Sequence, residues 1–216
     1  MALPDLPSLI RAELPGHAWR LLYLRYICTA GTLFGAFILT QNMGAVLDPL
    51  PLYATAAAIL LSNGLYTAHL IAAGRKTGIA SSDAASRSVA LQCATDVFLL
   101  TLLLHFSGGA ANPLMALYVG PILITGLLLS VRATYLVATL SGLFFAGMAI
   151  LEYRSIIPHV PVPGLFSPTA YRNGPYLLVV LAAFVCTIAL TAVISLVASG
   201  RLRLEPAATV GEESAT

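Results

Sequence analysis

This chain of 216 residues predicts an all-α integral membrane protein, a six-transmembrane-helix bundle with both termini cytoplasmic. Three observations carry that expectation. Apolar residues make up 58% of the chain and charged residues 9%, against about a quarter charged in soluble domains, so lipid must solvate most of the surface. Apolar runs at 21–43, 50–73, 88–107, 113–131, 133–153 and 175–199 approach the roughly 20 residues needed to cross a hydrocarbon core about 30 Å thick. The cations gather in alternate connections. Arg11, Arg20 and Arg25 are assigned to the approach to the first span, Arg75, Lys76 and Arg87 to the second connection, Arg132 to the fourth, and Arg201 and Arg203 to the region after the sixth span. Arg154 and Arg172 fall on the opposite side. Short loops rich in Lys and Arg stay cytoplasmic, which sets the orientation. The chain then divides into a cytoplasmic N-terminal segment (1–19), a membrane domain (20–200) and a polar cytoplasmic tail (201–216) that reads as disordered. Asp5 and Glu13 before a long apolar run, with no small-residue cleavage site after it, read as an uncleaved anchor.

The first span carries Gly31 and Gly35, a G-x-x-x-G pair that admits a close helix neighbour. Packing within the bundle is the expected use, and a homodimer is the alternative. The second span holds Asn63 and His69, and a polar loop runs from Gly74 to Arg87. In the third span, Asp96 is an ionisable group at membrane depth, a costly placement that marks either a functional residue or a polar clasp between helices. Gln92, one turn earlier on the same face, is its expected hydrogen-bond partner. Gly120-Pro121 should loosen the fourth span, and Ala138, Gly142 and Ala146 form a small-residue stripe on the fifth. The connection 154–175 contains Pro158, Pro161, Pro163 and Pro168, which exclude a regular helix. Its apolar Val160, Val162, Leu165 and Phe166 suit a cap on the bundle or a contact with the membrane face. Glu152, Arg154 and Arg172 suggest an ion pair that orders this loop, and Tyr118, Tyr135, Tyr153 and Tyr176 suggest an interfacial aromatic belt. Cys28, Cys93 and Cys186 all fall within spans and read as small buried hydrophobes.

Chemistry concentrates between the third and fourth spans, in Ser107-Gly108-Gly109-Ala110-Ala111-Asn112-Pro113-Leu114. Asn is a strong N-cap and Pro suits the first helical position, so Asn112-Pro113 predicts the start of the fourth helix. Its first amide hydrogens lack helical partners, and Gly108 and Gly109 bare the backbone beside them. Such a turn can hold a carbonyl-bearing apolar ring, a quinone head group being one example. The same residues also suit a plain tight turn between antiparallel helices. His105, near the turn, can donate to a bound carbonyl or stay solvated; it does not share a helical face with Asp96. No phosphate-binding loop, metalloprotease motif or nucleophile elbow occurs. The basic residues are too few for a nucleic-acid surface, and no metal-ligand spacing is present.

Leu91-Gln92, Asp96, Gly108-Gly109, Asn112-Pro113 and Tyr118 resemble the membrane sensor region of RegB/PrrB-type redox-sensing histidine kinases. That resemblance implies six spans, a G-G-x-x-N-P-F motif in the outer loop between the third and fourth, and a response to the ubiquinone pool. It also implies the inner membrane of a bacterium. Carried onto this chain, it makes Gly108, Gly109, Asn112, Pro113 and Leu114 candidate quinone contacts, to which the position of His105 beside the turn adds a sixth, and Gln92 and Asp96 a signal relay or polar clasp. Two departures stand out. Leu114 occupies the motif's Phe position, and neither a phospho-accepting His nor an ATP-binding domain follows the sixth span. The expectation is therefore a non-enzymatic input module in the lipid bilayer, read by a separate histidine kinase or response-regulator system or by a second copy. A small-solute transporter or channel subunit is the alternative.

Overall fold

The computed structural model describes residues 6–43, 49–77, 82–162, 164–167 and 169–200. The expected tail 201–216, with Arg201 and Arg203, lies outside them, as do the first residues of the N-terminal segment. Among the described residues every regular element is helical: α1 (Leu6–Met43), α2 (Pro49–Thr77), α3 (Ser82–His105), α4 (Val119–Leu128), α5 (Val131–Tyr153) and α6 (Gly174–Ala198). Short 3-10 helices occupy Gly109–Ala111, Pro113–Tyr118 and Ala170–Arg172. Five stretches among the described residues are long and apolar enough to cross a membrane: Trp19–Ile38, Pro49–Ala72, Ala85–His105, Val131–Tyr153 and Gly174–Ala198. Pro113–Leu128 is apolar but shorter.

Helix α1 is continuous from Leu6, so the expected N-terminal segment and first span share one helix of about 57 Å at 1.5 Å per residue. α1, α2 and α3 pack on one another, and α3 also contacts α4 and α5, which with α6 complete a second group. The second group closes on an aromatic core. Tyr118 meets Phe145 and Phe184 edge to face and those two rings pack tilted, with centroids 4.2–6.0 Å apart, and the Tyr118 hydroxyl meets Thr101 Oγ1 at 2.6 Å. Tyr118 is fully buried, unlike the belt position expected for it. It lies at the junction of the 3-10 segment and α4, facing inward onto Phe145 and Phe184.

Two further expectations change. A Cβ at Gly31 or Gly35 would meet nothing within 4 Å, so among the described residues this pair makes no close helix approach. Gly126 performs the close approach instead, with the Ser195 side chain of α6 against its Cα. Pro121 falls in the first turn of α4, where its missing N–H breaks no helical bond. The irregularity of this segment lies just before it, in the 3-10 stretch. On α5 the small-residue stripe does pack, with Ile188 of α6 lying 3.4 Å from a Cβ built on Gly142.

Candidate functional site

The chain leaves α3 through two left-handed residues, Gly108 at φ 116° and Gly109 at φ 61°. Glycine adopts this conformation without the steric cost of a Cβ. Asn112 then organises the turn. Its Oδ1 accepts from the Leu114 amide at 2.9 Å, and its Nδ2 donates to Ser107 O and Ser107 Oγ at 2.8 and 2.7 Å. Pro113 has no N–H, and the Met115 amide donates to Asn112 O at 3.2 Å. The expected cap therefore forms, but the amides foreseen as ligand donors are used locally. The cap itself implies this, because an N-cap oxygen accepts from an amide of the first turn; the backward reach of Nδ2 to Ser107 is what spacing did not indicate.

Both glycine faces are also covered. A Cβ on Gly108 would lie 2.6 Å from the ring of Phe166 and 3.6 Å from Val162. A Cβ on Gly109 would collide with the Glu152 carboxylate. The loop after α5 thus caps the turn, as its apolar residues suggested, and Val162 is buried there. Leu114 remains exposed beside it.

Glu152, at the end of α5, has no exposed surface. Its two oxygens each meet an imidazole Nδ1 at 2.7 Å, Oε1 with His105 and Oε2 with His159. An ionised carboxylate accepts from both Nδ1–H groups, which fixes the tautomers and leaves each Nε2 for another partner. Neither Nε2 has a partner among the described residues. The His159 ring stacks on Tyr171 at 4.2 Å, and Arg172 lies over the Tyr171 ring at 5.4 Å. Sequence reasoning paired Glu152 with an arginine; the structure gives it two histidines. His159 was missed as a partner because its reach to Glu152 depends on how the proline-rich loop folds back. The available signal was Glu152 itself, an acid at the end of an apolar span.

Asp96 is elsewhere. It pairs with Arg25 Nη1 rather than with Gln92, and Arg25 lies inside the first apolar stretch, nine-tenths buried, rather than before it. The guanidinium spreads over three helices. Nε donates to Asn63 Oδ1 at 2.7 Å, Nη2 to Ser62 Oγ at 3.2 Å and Nη1 to Gln92 O at 3.3 Å. Asn63 Nδ2 continues to Thr29 Oγ1 at 2.8 Å. Gln92 Nε2 donates to Ser88 Oγ at 3.1 Å, while its buried Oε1 meets no donor among the described residues. This is a clasp of α1, α2 and α3. Cys93 is buried beside it, whereas Cys28 and Cys186 are exposed rather than buried as expected.

Fold and site together define a multi-pass α-helical membrane protein with a buried carboxylate–imidazole cluster closing one end. No protein-family model matches the chain, and no curated protein or solved structure shows a significant likeness to it.

Proposed function

We propose that the chain is a membrane-embedded input domain that takes a quinone, or another uncharged apolar ring, at the Gly108–Leu114 turn and relays its presence to a cytoplasmic partner. One observation carries the reading: the Cδ2–Cε2 edge of the Phe166 ring already lies against the side-chain-free face of Gly108. That face admits the edge of an apolar ring, and Phe166 is the chain's own occupant of it. A ligand enters by displacing Phe166 into the lipid boundary beside Leu114.

A quinone offers carbonyl acceptors when oxidised and hydroxyl donors when reduced. His105 and His159 answer to that difference. With Nδ1–H held by Glu152, a neutral imidazole presents an accepting Nε2 and a protonated one presents a donating N–H. Gly108 and Gly109 leave room for the ring, and Leu114 supplies an apolar wall. Because Glu152 ends α5 and His105 ends α3, a change at the cluster shifts these two helices against each other. Asp96 on α3 then carries the shift to α1 through Arg25.

Two observations support a six-crossing arrangement with both termini cytoplasmic. The C-terminal ends of α3 and α5 meet at the cluster, so the chain between them has to return across the membrane. Pro113–Leu128 is short for that task, but a 3-10 rise of about 2.0 Å over its first part stretches the segment to about 27 Å. The distribution of Arg and Lys supports a cytoplasmic placement of the termini.

The test is ubiquinone binding to the purified chain. Gly109→Val and Asn112→Ala should each weaken it at least ten-fold, by pushing Glu152 aside and by releasing the turn. Phe166→Ala should tighten it, because the competing ring is gone. Unchanged affinity in all three variants would reject the site, and the opposite sign at Phe166 separates a lost site from a misfolded variant.

A further inference from the structure

A second place for a ligand lies far from the turn, between α2 and α3. Here a groove of about 670 Å³ opens to the lipid, with Ser62, Leu65, Tyr66 and His69 on one wall and Arg87 and Leu91 on the other. The size falls within the range of ordinary small-molecule sites. Its chemistry is graded along its length. His69 and Arg87 lie within the first turn of the membrane boundary at the α2–α3 connection, close to Ala72 and Ala85, where the two apolar stretches end. Both are exposed, and neither has an ion-pair partner among the described residues. Leu65 and Leu91 form the middle, 63% and 59% exposed, as open as other outward-facing leucines of the bundle. Ser62 lies about 15 Å further along α2 from Ala72.

From this gradient we infer that the α2–α3 groove is a specific site for one anionic phospholipid, its phosphate on Arg87 and its acyl chains along Leu65 and Leu91. Charge complementarity selects the occupant. A cation at the boundary and an uncharged apolar channel below it match a headgroup that is negative and a tail that is not. A zwitterionic lipid matches the channel but gains less at Arg87. A quinone matches the channel and can accept from Arg87, but it brings no charge to neutralise the cation. The floor of the groove touches the clasp: Ser62 accepts from Arg25, and the Arg25 guanidinium lies over the Tyr66 ring at 5.3 Å. An occupied groove therefore braces the three-helix junction from its lipid side. This inference is independent of the ligand proposed at the glycine turn.

Native mass spectrometry of the full chain, with dioleoyl-phosphatidylglycerol or dioleoyl-phosphatidylcholine added, tests it. One phosphatidylglycerol should be retained in preference to phosphatidylcholine. Arg87→Gln should lower that retention roughly five-fold, the worth of one basic residue near an anionic lipid, while Arg87→Lys keeps it. Leu65→Trp, which fills the channel at an exposed position, should expel the lipid with the charge intact. Equal retention of the two lipids would overturn the inference. So would an equal loss on Arg132→Gln, which would reduce the effect to general surface charge. A dimer that excludes both lipids would assign the groove to a second copy of the chain instead.

Discussion

Arg25→Met is expected to destabilise the protein by about 3–5 kcal/mol, the usual cost of removing one partner of a buried charge pair. The guanidinium binds Asp96, Asn63, Ser62 and the Gln92 carbonyl, so its loss strands acceptors on α2 and α3 together. In hydrocarbon no water replaces it. Arg25→Lys should be nearly as damaging, since a single ammonium cannot fork to several acceptors at once. The double variant Arg25→Met/Asp96→Leu removes the charge on both sides and should recover much of the loss. Thermal unfolding of the detergent-purified chain, read alongside yield in the membrane fraction, separates these cases. A single variant as stable as the parent would show that the pair does not hold α1 to α3.

Glu152→Ala should have the second-largest effect, and a different one. It removes two charge-assisted hydrogen bonds, each worth about 1.5–3 kcal/mol where the acceptor is ionised, and empties the space in front of Gly109. Because His159 belongs to the loop and His105 to α3, the loss falls on closure of the loop over the turn more than on the bundle. Limited proteolysis should therefore cut between Arg154 and Arg172 much faster, while the aromatic core around Tyr118 keeps the remaining helices together. Glu152→Gln should fall between the two, since an amide still pairs with both rings if one of them changes tautomer. Proteolysis at the parent rate in Glu152→Ala would contradict a latch role for this carboxylate.

Much of the architecture was legible because membrane helices announce themselves by length and apolarity alone. The five long apolar stretches all coincide with runs read from the sequence. The fourth was harder, since a 3-10 start makes Pro113–Leu128 shorter in α-helix than its apolar run suggests. Local signals were reliable where the chemistry is local. Asn112 caps, Pro113 starts, and Gly108-Gly109 turn left-handed, as their side chains dictate. What failed was pairing at a distance. Asp96 sits one turn from Gln92 in sequence yet finds Arg25 on another helix, because a guanidinium answers a carboxylate at membrane depth better than an amide can. Glu152 likewise passed over Arg154 and Arg172 for two imidazoles. The covering of Gly108 by Phe166 depends on how a proline-rich loop folds back, and nothing in that loop's pattern encodes its destination. Gly31 and Gly35 show the converse: a recognisable spacing with no close helix approach among the described residues.

Photolabelling with an azido-ubiquinone would probe the glycine turn most directly, with the labelled peptides identified after digestion. The account predicts label on 105–118 and on the loop around Phe166, lost in Gly109→Val and increased in Phe166→Ala. Label confined to α2 and α3, or spread evenly over the lipid-facing surface in all variants, would contradict it.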